Sequence, residues 1–494
     1  MQNRPNSNGP QMQNRPNPNA PRRLTRQQYE ALMRQRRQNR IAIAIIAGIA
    51  VLIVVAVILI LKPKGKPDAV TAMVQTTAAP AATQAVTADG AGDSALPNLA
   101  AMTDTESAVQ DSAPPADDGG EAAAVAAEVT PVPELPQAID RVVSTRRPDG
   151  SLRSVRMRAV GDIMFCQSQL VYAKDSGYDF HNQFEMIAEQ LADADYTMGN
   201  MEGTIGKYKK SQYSGYPQFN APDVALAPLK DYGIDFLTLA NNHMLDRWSG
   251  GVENTVNNVE KYGFAHVGAY RTKAEKAGTV ICEVGGIKFG FLAYTHSTNS
   301  MENRGVDKEA VDLVPYISKA DFKADVKKLR DAGAEVVIAW PHWGAEYVRE
   351  PDSSQKKYAK KLAEAGVDII IGSHAHEVQP MGYQSVTVDG VDKQVLTMFC
   401  MGNFISDHIV QYTDNGLILD FTVNEQPGGR FTVDNVGYIP TYTWKQNGAV
   451  KVLPSGRYLE ERPTGMDDEN YNRMVASYYE IVEVMGNQFQ LING

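Results

Sequence analysis

Asn242, His243 and Asp246 fall within residues 239–246, and their types suit metal-assisted hydrolysis or group transfer. The Asn242 amide oxygen can face a metal ion or a phosphate. The His243 imidazole exchanges a proton near neutral pH, and Asp246, three residues on, can orient that ring. Taken alone, two asparagines can simply turn a chain while the histidine satisfies a neighbour. Repetition shifts the balance. Asp162 follows Val160-Gly161, Glu202 closes the run 196–201, His342 follows Trp340-Pro341, and His374 and His376 follow Gly372. Each stands at the end of a stretch that reads as a buried strand, a place that unrelated structural histidines would not choose every time. Carboxylate and amide oxygens mixed with imidazoles suit one or two divalent transition-metal ions (Mn, Zn or Fe), whereas calcium takes oxygen alone. His374 and His376 share a sheet face only while the strand stays regular; beyond Gly372 they can splay toward two ions. His296 and His408 lie just past strand-like runs and are lesser candidates, and Glu346 is placed to support His342.

The elements that must position these groups alternate. Val155, Met157 and Ala159 alternate with Arg156 and Arg158, as a strand requires, and helical spacing is expected over 184–191, 225–232, 252–262, 322–332 and 353–365. Short apolar runs at 235–239, 335–340 and 368–372 intervene, then strands at 394–399, 417–423 and 431–438 and a closing helix over 470–484. Helix alternating with buried strand argues α/β layers, whose ligands bind beyond the carboxyl ends of the strands. The globular part is therefore assigned to 151–445, with a C-terminal extension over 446–494. Lys207, Lys209 and Lys210 with Tyr208, Tyr213 and Tyr216 form a basic, aromatic insert over 207–219, either a lip that touches substrate or a loop packed on the domain.

Residues before 151 are of another kind. Residues 1–40 hold nine Arg against Glu30 alone, and their Asn, Gln and Pro content predicts a disordered arm. Residues 41–61 carry no polar side chain over 21 positions, enough for a transmembrane helix. The heavier positive charge before it predicts a cytoplasmic N-terminus and an extracellular C-terminal domain. Residues 62–150 contain no Phe, Tyr or Trp and read as a solvated linker, and the 67–150 stretch has a coil-like reach of roughly 50 Å. Twelve of the 48 basic residues and one of the 58 acidic ones precede Pro67, so the remainder carries 36 against 57, a net charge of −21. That balance argues against nucleic acid as a partner, and an anionic substrate needs a local positive site. Cys166, Cys282 and Cys400 are odd in number and far apart, which excludes a disulfide framework and leaves them as core residues.

Gly161-Asp162-Ile163-Met164, Gly199-Asn200-Met201-Glu202-Gly203, Asn241-Asn242-His243 with Asp246, His342-Trp343-Gly344, Gly372-Ser373-His374-Ala375-His376 and Gly402-Asn403-Phe404 occur in this order. Together they resemble the bacterial capsule-synthesis CapA family, linked to poly-γ-glutamate capsules, over about residues 155–425. The resemblance implies an α/β, layered, calcineurin-like metallophosphoesterase-type sandwich, here preceded by one transmembrane helix and a tether. Asp162 then matches the Asp of the Asp-x-His motif, Asn242-His243 the Asn-His pair, and His342, His374 and His376 the later histidines. Two positions depart: Met164 stands where those enzymes carry a metal-binding His, and Asn200 where they carry a bridging Asp, with Glu202 the nearest replacement carboxylate. The implied activity is metal-dependent hydrolysis or transfer at polymer amide bonds, with His243, held by Asp246, protonating the leaving group. The implied partners are an anionic capsule or cell-wall polymer, the membrane and subunits of a capsule synthase. Two alternatives remain, a non-catalytic polymer-binding or export scaffold of the synthase and a metallophosphoesterase acting on cell-wall phosphates.

Overall fold

The computed structural model describes residues 152–206, 213–301 and 308–494. The arm 1–40, the apolar span 41–61 and the linker 62–150 lie outside the described residues, and among the described ones no helix is long and apolar enough to cross a membrane.

The near-continuous apolar runs of the sequence become strands buried on both faces. In the first sheet, β1 (Ser154–Ile163), β2 (Tyr196–Met201), β3 (Phe236–Thr238) and β4 (Ala265–Val267) run parallel. In the second, β5 (Val280–Val284) is antiparallel to β6 (Ile287–Thr295), which pairs in parallel with β7 (Val336–His342), and β7 with β8 (Ile369–Ile371). The hairpin of β9 (Met381–Val388) and β10 (Val391–Met398) extends the second sheet beyond β8. The short β11 (Asn403–Ile405) lies parallel to β1, and β12 (Asn415–Gln426), β13 (Arg430–Gln446) and β14 (Ala449–Pro454) complete the first sheet. The orders are β14-β13-β12-β1-β2-β3-β4 and β5-β6-β7-β8-β10-β9.

The sheets pack face to face. Val155, Met157, Ala159, Met198 and Phe236 of the first meet Phe289, Phe291, Ile338, Ile369 and Leu396 of the second, with the Phe236 and Phe291 rings stacked at 4.1 Å. The alternate residues face helices. Val252, Val256 and Val259 of the helix Trp248–Lys261 pack beside Val160 and Leu237. Val326 and Leu329 of Phe322–Asp331, and Ala359 and Leu362 of Ser353–Glu364, pack on Val337, Ala339 and Ile370. The helix Ser353–Glu364 begins on the capping box of Asp352 and Gln355, which satisfies two otherwise orphaned donors. Each fully buried Leu, Val or Phe in these layers contributes about 1.5–3 kcal/mol. The result is mixed α/β, four layers deep. Residues 446–494 continue the first sheet through β14, and the helix Asp468–Met485 sends Ile481 and Met485 into the inter-sheet core. The strands β4, β5, β9 and β14 were not read from the sequence, and β6 and β11 only as strand-like runs before His296 and His408; β5 and β9 have polar or half-exposed faces that break the apolar runs.

Two glycines bring backbones together where the parallel strands end. A Cβ on Gly161 would lie 1.9 Å from the Gly402 carbonyl oxygen, and one on Gly372 would lie 2.0 Å from that of Phe399. No other residue type fits either position.

Candidate metal centre

Every strand that carries a candidate ligand delivers it to the same end of the sandwich. Asp162 is the penultimate residue of β1, Glu202 follows β2, Asn242 lies on the loop after β3, His342 ends β7, and His374 and His376 follow β8. All six are buried. One set of ligand atoms, from Asp162, Glu202 and His342, lies within 4.8 Å of one another, and so does a second, from Glu202, His374 and His376. Glu202 belongs to both. Its Oε1 stands 3.8 Å from His342 Nε2 and 3.8 Å from His376 Nε2, and among the described residues neither carboxylate oxygen has a hydrogen-bond partner. A fully buried carboxylate without a donor is costly unless a cation compensates it, so the residues fit one or two divalent ions shared through Glu202.

The surrounding contacts orient the ligands. Asp162 Oδ1 accepts from Asn200 Nδ2 at 2.8 Å and Oδ2 from the His374 backbone N–H at 3.1 Å. Asn200 Oδ1 accepts from the Thr238 hydroxyl at 3.0 Å, so Asn200 steadies Asp162 rather than bridging. His342 Nε2 lies 2.9 Å from Asn242 Oδ1 and 3.1 Å from His374 Nδ1. His376 Nδ1 is 2.9 Å from Asn403 Oδ1, while Asn403 Nδ2 donates to the Thr413 carbonyl at 3.0 Å. An amide fixed in that way holds the ring and leaves Nε2 toward Glu202. His374 and His376 reach these positions with φ of 98° and 56°, left-handed conformations that persist in non-glycine residues only where their surroundings impose them.

Burial pushes the Glu202 carboxyl well up, and nearby Asp162 adds to this against the opposing pull of His376. Burial and neighbouring imidazoles hold His342 and His374 well below the usual histidine range, which keeps their lone pairs free. Burial alone would lower His376 as well, but Glu202 and Asp162 carry it to about 9.

His243 and Asp246 form the adjoining corner. His243 Nδ1 is 2.8 Å from Asp246 Oδ2, which also accepts from the Phe219 N–H at 2.7 Å. Burial lifts the Asp246 carboxyl despite these bonds. The Phe219 ring meets the His243 imidazole edge-on at 4.7 Å.

The remaining candidates separate. His296 is exposed with its ring 4.3 Å from His374, and the His408 ring lies 4.9 Å from His376. Glu346, expected beside His342, is exposed at the rim. Met164 turns into an apolar cluster with Cys166 and Phe219, so it supplies no ligand. All three cysteines are free, with Cys166 and Cys400 buried. Of the insert, residues 207–212 lie outside the described residues; Tyr213 packs on Tyr178 at 5.1 Å, while Tyr216 is 72% exposed, 6.5 Å from the His243 ring.

Sequence reasoning gave no role to Asn241, Asn299 or Asn403. Asn241 Nδ2 donates to the Met201 carbonyl at 2.8 Å and its Oδ1 accepts from the His243 N–H at 3.1 Å, tying the two loops together. Asn299 Nδ2 lies 3.4 Å from His243 Nε2 and its Oδ1 accepts from Asn242 at 3.3 Å. Asn241 and Asn403 stand inside recognisable motifs, whereas nothing in the sequence marks Asn299.

The family model described as "Bacterial capsule synthesis protein PGA_cap" matches residues 156–408. The "Capsule biosynthesis protein CapA" of Bacillus anthracis is 30% identical over 294 residues, covering 55% of this chain and 68% of that protein. The "PGA biosynthesis protein CapA" of Bacillus subtilis (strain 168) is 27% identical over 280 residues, 56% of this chain and 69% of that one. Solved structures that align with the chain include the calcineurin-like phosphoesterase YfkN from Bacillus subtilis, at 14% identity over 67% of this chain and 99% of that chain, with a TM-score of 0.36. A phosphatase from Mycoplasma pneumoniae aligns at 12% identity over 65% of this chain and 100% of that one, with a TM-score of 0.35.

Proposed function

The chain belongs to the family of bacterial capsule synthesis proteins, and from that premise we propose that it is a membrane-anchored, extracellular hydrolase or transferase acting on the amide bonds of poly-γ-glutamate. The observation that carries the reading is the doubly unpartnered, fully buried Glu202 carboxylate between His342 and His376. Asp162, Glu202, Asn242, His342, His374 and His376 would hold Mn, Zn or Fe, which their mixed donors suit. Such ions, when bound, polarise an acyl oxygen and acidify water.

The chain's own residues do the rest. Asp246 takes the His243 Nδ1 hydrogen bond, which fixes the ring and leaves Nε2 as the proton-carrying atom. That proton goes to the departing amide nitrogen, and the buried Asp246 carboxylate steadies the ring through the transfer. Phe219 covers one edge of the imidazole and keeps bulk water from it. The acidic extracellular part repels a polyanion at long range, so the ions supply the local attraction. Residues 41–61 anchor the chain, with the Arg-rich arm inside, and synthase subunits in the same membrane are its natural partners.

The test compares the full-length protein with His243→Ala, each assayed on poly-γ-glutamate, a wall-peptide amide and a phosphodiester, with metal content and polymer binding followed in parallel. Metal and binding are expected to persist while turnover on the polymer falls by about 10². Turnover of the phosphodiester alone moves the activity to wall phosphates. No turnover by either protein, with equal polymer binding, leaves a non-catalytic scaffold.

A further inference from the structure

Beyond the end of β6, Thr298 and Met301 are buried while the two residues between them, Asn299 and Ser300, are exposed. The Met301 N–H donates to the Thr298 carbonyl at 2.9 Å, and Asn299 and Ser300 have φ of 52° and 58°, so these four residues form a turn of the type I′ kind. Both of its flanks are fixed. The Thr298 hydroxyl lies 2.7 Å from the Tyr316 hydroxyl, and Met301 belongs to the same apolar cluster as Leu239 and Met244. A turn held at both ends presents its first central side chain, Asn299, to the loop after β3.

The Asn299 amide meets two residues of that loop at once. Its Nδ2 stands 3.5 Å from His243 Nδ1 and 3.4 Å from Nε2. An atom so near both ring nitrogens cannot lie in the ring plane without colliding with the carbon between them, so the amide sits over the imidazole face, where an N–H meets π electrons. That contact turns the Asn299 oxygen the other way, toward Asn242, whose Nδ2 donates to it at 3.3 Å. Among the described residues Asn242 Nδ2 has no other partner.

Asn242 is fully buried, and the oxygen and nitrogen of its amide are so alike in size that shape alone does not select which of them faces the site. Only the oxygen can ligate an ion. Asn242 Oδ1 lies 2.9 Å from His342 Nε2. That is the spacing of neighbouring donors on one ion, about 3 Å when each is about 2.0–2.2 Å from the metal. The reversed amide would aim two N–H groups at the ion and set oxygen against the Asn299 oxygen. We infer that Asn299 is a positioning residue of the metal centre, whose oxygen selects the Asn242 orientation in which the amide oxygen, and not the nitrogen, faces the ion. The inference rests on the metal-centre reading of the site and is indifferent to which bond is acted on.

Asparagine also suits this place in a type I′ turn for backbone reasons alone, so loss of the amide has to be separated from a change of backbone. Glycine suits the turn at least as well and carries no amide. Mn and Zn are titrated into chelator-treated full-length protein and followed by calorimetry. Asn299→Gly should weaken binding by about tenfold or more, the loss expected when a ligand's outer partner is removed, while circular dichroism stays native. Asn299→Asp keeps an acceptor for Asn242 Nδ2 and should bind no more weakly than the native protein. In an Asn242→Asp background the ligand has two equivalent oxygens and no orientation to select, so adding Asn299→Gly should change affinity by less than about twofold. Equal affinity of the native protein and Asn299→Gly overturns the inference alone, as does weaker binding by Asn299→Asp. A full loss that persists in the Asn242→Asp background also overturns it, by assigning the effect to the turn. No uptake by the native protein overturns it together with the metal centre.

Discussion

Strand β1 carries two buried charge clusters four residues apart, and they differ in one respect. Around Arg158 the charges are matched. Arg158 Nε donates to Asp420 Oδ2 at 2.6 Å and Nη2 to Asp193 at 3.0 Å, while Arg156 reaches Asp420 at 2.7 Å and Nη1 of Arg158 also meets the Gln190 carbonyl. Around Asp162 the match is partial, because Glu202 is as deeply buried as Asp420 but among the described residues has no hydrogen-bond donor, only the His342 and His376 rings at 3.8 Å. A buried charge by itself therefore marks nothing. What separates a structural ion pair from a binding centre is whether the protein completes it.

The sharpest way to break this contrast is to make the complete cluster incomplete. Arg158→Leu strips Asp420 of one partner and should cost about 3 kcal/mol in urea unfolding, the low end for breaking a buried pair because Arg156 still reaches Asp420. Glu202→Gln should act in the opposite direction. In chelator-treated protein it removes a buried charge and should raise stability by about 1–2 kcal/mol, while metal uptake measured by mass spectrometry disappears. Equal destabilisation by both variants would erase the distinction. The smallest effect concerns protons. His376 holds its proton up to about 9 in the ion-free protein, so metal uptake at pH 7 should release about one proton, seen by calorimetry in buffers of different ionisation enthalpy. Affinity should rise with pH toward about 9 and then level. In the ion-free protein the same group stabilises fully below the ordinary imidazole value near 6.5, and that contribution is lost as pH rises through about 9.

The contrast also explains what the sequence could reveal. Asp162, Glu202, His342, His374 and His376 were legible because each ends an apolar run, and a sequence records the ends of strands directly. The alternation over 155–159 located β1 but not the fate of Arg158, because its partners Asp193 and Asp420 are distant in sequence and only the fold joins them. The same holds for Asn403, whose service to His376 depends on β11 pairing with β1, a contact across more than two hundred residues. The helices were found within a residue or two where capping and periodicity agree, as over Ser353–Glu364. The hairpin of β5 and β6 was missed because Gly285-Gly286 separates a strand with a half-exposed face from one with a buried face, and neither shows a clean period.

The close approach at Gly161 bears on stiffness. The Gly402 carbonyl that would collide with a side chain there also accepts the Asp162 N–H at 3.1 Å, and the next residue, Asn403, holds His376. Gly372, just before the two histidines, presses on the Phe399 carbonyl in the same way. The ligands on these segments are thus mounted on backbones already in contact, with no compressible side chain between them. Such a mount limits how far the two segments can shift against each other. A side chain at either glycine would force these strand ends apart and carry Asp162, His374 and His376 with them, so the spacing of the ligands is tied to a contact between main chains.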